Sequence, residues 1–356
     1  MQALLITVLL LCVGVPLVVW AWVTLAARAL ALPEFFDEVH EVQTEDGATI
    51  VLGRLHPRGA RSSAPPVLLC HGLAMNRRAF ALDPKRCFAL ALAERGRDVW
   101  LLELRGAVAK SVPKALKRAT FDDYAARDVP KAIEFVCVQT SAERVDWIGF
   151  SMGGMLAYAY LGALRGKGIR KLVTIGSPVH FEHHPVARGL AVLPMLLAPL
   201  LWLTRTPFRF LSLLVAPLVW PGVPTSLSRG LRGEHYSARV FRALMANGLA
   251  DVPTGVARQF IRWVRTATFD SEDRALDYRA SMREITADTL VIAGSHDRLA
   301  TPYAVLDATQ CITAATVESQ VIGKQTGAAK DYDHMDLILG RDALREVFPS
   351  VERWIE

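Results

Sequence analysis

Negative charge is absent from two stretches of this 356-residue chain where a soluble surface would carry it. Met1–Ala27 has no charged side chain at all, and the interval from Pro185 to Gly233 has five arginines but no Asp or Glu. Within the first stretch, Leu4–Thr24 is almost wholly Leu, Val, Ile, Trp and Ala. At roughly 1.5 Å per residue such a helix crosses a hydrocarbon core of about 30 Å. The basic n-region of a signal peptide is missing, although Ala29-Leu30-Ala31 offers a small-residue cleavage site. The long apolar run therefore favours an uncleaved, single-pass anchor over residues 1–30, with Trp20 and Trp22 suited to the interface. Arg28 is the one basic residue near either end, so the positive-inside rule leans towards a cytoplasmic location for the chain beyond the anchor.

Other absences narrow the function. The five cysteines are odd in number and have no metal-ligand spacing or disulfide framework. Cys70 and Cys137 lie in apolar runs and read as core residues. The formal net charge is +6, but Lys and Arg do not form blocks interleaved with aromatics, so nucleic acid is not an expected partner. There is no internal repeat and no low-complexity tract. What the chain has in quantity is hydrophobic residues, 52% of the total, with a mean hydropathy of +0.25.

The informative stretch is Val145–Gly154, VDWIGFSMGG. An apolar run stops at Gly149, Ser151 follows, and an Ala/Leu-rich stretch runs on to about Leu164. This predicts a strand, a tight turn and a helix, with Gly149-Phe150-Ser151-Met152-Gly153 as a G-x-S-x-G nucleophile elbow. The glycines are needed because side chains there would collide with the neighbouring strand and helix. Ser151 is left at the positive end of a helix, where it can attack a carbonyl while the Met152 N–H holds the oxyanion.

The flanking pattern alternates strand and helix. Strands are expected at His40–Thr44, Thr49–His56, Val67–Cys70, Asp98–Glu103, Lys171–Ile175, Thr289–Gly294 and Val317–Ile322. Helices are expected at Leu82–Arg95, Phe121–Val138, Tyr303–Ile312 and Met335–Ile355. That order implies a mostly parallel sheet covered on both faces. It breaks at about Val179, where two apolar, proline-cut runs, Gly189–Leu203 and Phe208–Trp220, suggest a helical cap over residues 179–286. This cap reads either as a buried helix pair or as an apolar, basic lid that rests on a membrane or admits lipid chains. The sheet-bearing core then comprises residues 31–178 and 287–356.

A serine nucleophile needs a base, and the base needs a carboxylate, here in the chain order Ser, Asp, His. Asp297 follows the Thr289–Gly294 strand, and His334 lies on the loop after Val317–Ile322. Asp297 could instead cap the turn before Thr301-Pro302, and His334 could be a helix-entry histidine. Their places past strand ends favour catalytic acid and base. Asp331, Asp333 and Asp336 read as surface or capping residues. The second oxyanion donor is expected from the Leu73 N–H, after His71-Gly72. His71, Gly72 and Phe150 are expected to line the substrate site. His180, Glu182, His183 and His184 are metal-ligand types, but an extended segment cannot aim all of them at one ion. No metal or organic cofactor is expected.

Taken together, His71-Gly72-Leu73, Asp98-Val99-Trp100-Leu101 with Arg105-Gly106, the elbow, Gly294-Ser295-His296-Asp297 and Asp333-His334 resemble the α/β-hydrolase fold from about Phe35 to the C-terminus. Asp98–Gly106 and His334-Met335-Asp336-Leu337-Ile338-Leu339-Gly340 are similar to the acid lipase branch. Phe150 and Met152, where acid lipases carry His and Gln, are more like bacterial esterases. The resemblance implies an eight-stranded, mostly parallel sheet and hydrolysis of an ester, the greasy cap pointing to an apolar or lipid-like acyl group. An acyltransferase or thioesterase on the same triad, or a non-catalytic binding protein of this fold, are the other readings.

Overall fold

A computed structural model of the chain describes residues 10–84, 87–107, 119–181, 205–219 and 237–356. Its strands are β1 (Glu38–Gln43), β2 (Thr49–Leu55), β3 (Val67–Cys70), β4 (Val99–Glu103), β5 (Val145–Phe150), β6 (Ile169–Ile175), β7 (Arg205–Thr206), β8 (Val252–Pro253), β9 (Asp288–Gly294) and β10 (Val317–Ile322). Eight of them form one sheet in the order β1-β2-β4-β3-β5-β6-β9-β10, and β7 pairs with β8 apart from it. Only β1 with β2 and β2 with β4 run antiparallel in the large sheet. Strands β3, β4 and β5 are buried along their whole length, as their unbroken apolar runs require in a sheet covered on both faces.

Alternation along the strands divides the core in two. Leu68, Cys70, Trp100 and Trp147 join one cluster, and Val67, Leu69, Val99, Leu101 and Ile148 the other. Onto the first pack α3 (Val129–Thr140) and α4 (Met152–Leu161); onto the second pack α2 (Phe88–Glu94) and the closing helix Phe348–Ile355.

All four expected helices differ from expectation in their bounds or continuity. The helix expected over Leu82–Arg95 starts only at Phe88, with Cys87 as its cap. Pro84 disfavours helical backbone at the residue before it. The helix expected over Phe121–Val138 runs to Thr140 but opens into a π-turn at Tyr124–Asp128. Pro130, just beyond, has no N–H to continue the ladder. The expected closing helices are also broken into shorter pieces: Pro302–Leu306 with Ala308–Cys311, then Asp336–Leu339, Ala343–Glu346 and Phe348–Ile355.

At the N-terminus, α1 (Val15–Ala29) continues a π-turn over Leu10–Gly14. Its window Cys12–Ala29 is long and apolar enough to cross a membrane, and only 6% of it is buried against the rest of the chain. The first nine residues, and the Gly189–Leu203 run of the expected cap, lie outside the described residues. The rest of the cap segment includes α5 (Phe208–Val215), α6 (Ala238–Ala243) and α7 (Thr254–Thr266). Trp263 of α7 stands edge-on to Phe121 and to Phe269, with ring centres 5.0 and 5.1 Å away, so α7 is fastened into the same core as α3 and α4.

Candidate active site

The sheet order places the site. β3 lies between β4 and β5, so the chain turns to opposite sides after β3 and leaves a crevice at the strand ends. Cys70 is paired with Gly149, which brings the loop after β3 beside the turn after β5.

That turn is as tight as the glycines suggest. A Cβ on Gly149 would fall 2.4 Å from the Gly153 carbonyl carbon, and one on Gly153 would fall 2.2 Å from the Cys70 carbonyl oxygen. Ser151 has φ 53° and ψ −118°, a strained conformation for a residue with a side chain. Its N–H donates to the Ile175 carbonyl (2.8 Å), which ties the elbow to β6. Among the described residues, Ser151 Oγ has no hydrogen-bond partner, and neither the Met152 nor the Leu73 N–H has an acceptor.

Asp297 and His334 meet although 37 residues separate them: Nδ1 of His334 donates to Asp297 Oδ2 at 2.6 Å. The other carboxylate oxygen accepts the N–H groups of Leu299 (2.8 Å) and Ala300 (2.7 Å), so the Asp297 side chain is fixed and shut off from solvent. The His334 ring lies 4.8 Å from that of Phe150, and a Cβ on Gly176 would come within 3.2 Å of it. Phe150 precedes Ser151, and Gly176 follows the residue that accepts the Ser151 N–H. The histidine is therefore beside the elbow, without a hydrogen bond to the serine.

The two loops are cross-linked by residues to which the sequence assigned no role in the site. Ser295 Oγ donates to Asp331 (3.0 Å) and accepts from the Tyr332 N–H (3.3 Å), and His296 N–H donates to the Tyr332 carbonyl (2.9 Å). Asp336, expected at the surface or as a cap, is buried, and it accepts the Asp333 N–H (3.1 Å). Gly340 passes over it so closely that a Cβ would lie 2.4 Å from the Asp336 carbonyl oxygen. The H-x-D-x-x-x-G spacing thus encodes a tight turn after His334.

The residues expected to line the substrate site have separate surroundings. Phe150 is 1% exposed, and Gly72 lies against Ser151 and Phe150. His71 is buried with both ring nitrogens engaged: Nδ1 donates to the Gly72 carbonyl (2.8 Å) and Nε2 accepts the Leu104 N–H (3.3 Å). Its ring shapes the loop from behind. Of the candidate metal cluster only His180 is described, with its ring 5.0 Å from that of Tyr303; Glu182, His183 and His184 lie outside the described residues.

Burial lowers the His71 pKa from 6.5 to about 4; the Gly72 carbonyl opposes the shift and the Arg77 charge adds to it. Between those values the unfolded chain binds a proton that the folded chain refuses. Stability therefore falls as pH drops through this window, by up to ~3 kcal/mol, and His71 adds no pH dependence above it. Thermal melts of the wild type are expected to fall more steeply from pH 6.5 to 4.5 than those of His71→Gln, which cannot ionise. Parallel curves would assign the acid sensitivity to other groups.

A mostly parallel sheet with a serine on the sharp turn after β5, and an Asp–His pair on the loops after β9 and β10, is the layout of an α/β-hydrolase fold. The chain belongs to the α/β-hydrolase fold family, whose model matches residues 65–340. It is 33% identical to a probable lipase of Schizosaccharomyces pombe over 138 residues, 35% of this chain and 30% of that one. With human lipase member M it shares 24% identity over 356 residues, covering 88% of this chain and 81% of the other. Its fold is similar to that of a bacterial membrane phospholipase A described as a virulence factor, with a TM-score of 0.52, 18% identity and coverage of 99% and 97%. These likenesses support a lipase- or esterase-like hydrolase.

Proposed function

We propose that the chain is a serine hydrolase of carboxylic esters with apolar acyl groups, working at a membrane. The observation that carries this reading is the 2.6 Å Asp297–His334 pair beside the Ser151 elbow. In the proposed mechanism Ser151 Oγ attacks the ester carbonyl carbon and its proton passes to His334 Nε2. Asp297 keeps the ring oriented and stabilises the imidazolium. The Leu73 and Met152 N–H groups donate hydrogen bonds to the oxyanion. The imidazolium protonates the departing alcohol, and water, activated by the same histidine, releases the acid.

The apolar surface supports the choice of substrate and place. Leu17, Val18, Trp20, Trp22 and Leu25 of α1 are exposed, and so are Phe210, Leu211, Val215 and Leu218 at α5. The two helices touch, with Trp22 Nε1 donating to the Leu214 carbonyl (3.1 Å). Trp22 is six residues from Arg28, roughly 9 Å along the helix, so a bilayer around α1 would also reach α5. The acid lipase resemblance and the lipase names of the relatives agree with this reading, in which residues 179–286 serve as the cap.

The test uses membranes from cells producing the full chain, washed in alkaline carbonate and assayed on p-nitrophenyl esters from acetate to palmitate. Each buried methylene contributes ~0.8 kcal/mol, so kcat/KM is expected to rise up to roughly fourfold per methylene until the cleft is filled. Activity should stay with the washed membranes. A preference for acetate would sink the apolar-acyl reading, and release of activity by carbonate would sink the anchor.

A further inference from the structure

We infer that Asn247 is a positioning residue for the oxyanion loop, and that it ties this loop to the segment leaving the N-terminal helix. The inference rests on the serine-hydrolase reading above. Asn247 is 5% exposed and sits in a π-turn (Leu244–Gly248) after α6. Its amide is fully engaged. Nδ2 donates to the carbonyls of Leu30 (2.9 Å) and Ala243 (3.0 Å), and Oδ1 accepts from the Leu32 N–H (2.9 Å) and Arg78 Nη1 (3.4 Å). A buried amide with both donors and its oxygen engaged has one orientation, and so have the groups it holds. Arg78 Nη2 adds a bond to the Leu32 carbonyl (2.7 Å).

The same turn grips the loop that carries the Leu73 N–H. Asn76 Nδ2 donates to the Asn247 carbonyl (2.9 Å), and the Asn76 N–H donates to the Gly248 carbonyl (3.0 Å). Two residues on, the Ala250 N–H donates to the Ala74 carbonyl (2.9 Å), and Met75 pairs with Leu249. Ala74 has φ 58°, a left-handed conformation that a residue with a Cβ keeps only under restraint. The restraint comes from residues 247–250. An oxyanion donor works within a few tenths of an ångström, and a displacement of about 1 Å can cost on the order of a hundredfold in rate. Loosening Asn247 therefore acts on the transition state and leaves the acyl group's ground-state contacts in place. Since Asn247 also holds Leu30 and Leu32, the seating of the N-terminal helix and the oxyanion donor share one anchor point.

The experiment compares full-length wild type and Asn247→Ala in detergent micelles on p-nitrophenyl octanoate, with active sites titrated by a fluorophosphonate. The expected result is a kcat per titrated site lowered roughly ten- to hundredfold, with KM within about twofold. The inhibition constant of an alkyl trifluoromethyl ketone, whose adduct needs the same donors, should rise by a similar factor. A purely structural amide would lower the melting temperature and the titre but leave kcat per site unchanged, and that result overturns the inference. Asn76→Asp keeps the acceptor for the Arg78 N–H and removes the donor to Asn247. It should reproduce the loss, and it decides the matter if Asn247→Ala yields no folded enzyme. Turnover retained in Ser151→Ala would instead defeat the hydrolase reading beneath.

Discussion

Alanine at position 151 is expected to lower kcat/KM on p-nitrophenyl octanoate by roughly 10⁴- to 10⁶-fold and to leave the melting temperature unchanged or slightly raised. Both halves follow from the geometry. The serine hydroxyl has no hydrogen-bond partner among the described residues, so its removal breaks no structural bond. Alanine keeps the Cβ, and with it the same cost of standing at φ 53°. Nothing in the packing changes, whereas the proposed nucleophile is gone and water must attack unaided. Residual turnover would come from substrate binding and the Leu73 and Met152 amides. Fluorophosphonate labelling should disappear with it. A variant that kept more than about one per cent of wild-type turnover would show that another group does the chemistry, whereas no turnover of any ester and no fluorophosphonate labelling in the wild type would point to a binding protein of this fold.

The parts of this site legible in the sequence are those whose signal is local. Val145–Gly154 reads as an elbow because the apolar run, the three glycines and the following helix are contiguous. Asp297 stands out because it follows a short buried strand, and His334 because it lies on the loop between the last strand and the closing helices. Their contact could only be expected, since a 37-residue gap holds no information about distance. Asn76 and Asn247 were illegible for the same reason: they are polar residues of ordinary appearance, 171 positions apart, and their role exists only once β3 and α6 are packed. His71 shows the opposite failure. A histidine at the mouth of a crevice looks chemical, yet both nitrogens are engaged with backbone and burial keeps it neutral. The helix boundaries moved where a proline acted, at Pro84 and Pro130, on elements that apolar spacing alone had drawn as continuous.

Loss of the Asp128 carboxylate is expected to destabilise the protein by ~3–5 kcal/mol, a large share of a typical total of ~5–15 kcal/mol. Arg105 and Asp128 are both fully buried, at the C-terminal end of β4 and in the π-turn before α3. Asp128 accepts the Arg105 Nε–H (2.7 Å) and the Arg105 backbone N–H (3.1 Å). The guanidinium also reaches Asp46 and Thr44, in the turn between β1 and β2. Burial works to lower the Arg105 pKa, but Asp128 and Asp46 outweigh it and hold it above its usual value. The Arg105-Gly106 pair noted in the sequence thus has a physical reading. The arginine staples hairpin, strand end and π-turn, and the glycine makes room, since a Cβ there would fall 2.1 Å from Tyr124 Oη. In Asp128→Ala the guanidinium stays buried with Asp46 as its remaining carboxylate. The expected melting-temperature drop is roughly 5–15 °C, read at pH 8, above the value of about 7 to which burial pushes the Asp128 carboxyl. Asp128→Asn, which keeps an acceptor oxygen, should lose less. The double variant Arg105→Met/Asp128→Leu should recover much of the loss, because an apolar pair of similar volume leaves no charge unpaired. A melting temperature within about 2 °C of wild type in Asp128→Ala would mean that Asp46 and Thr44 alone satisfy Arg105. The β4 end that presents the Leu104 N–H to His71 would then be held by the sheet without the buried pair.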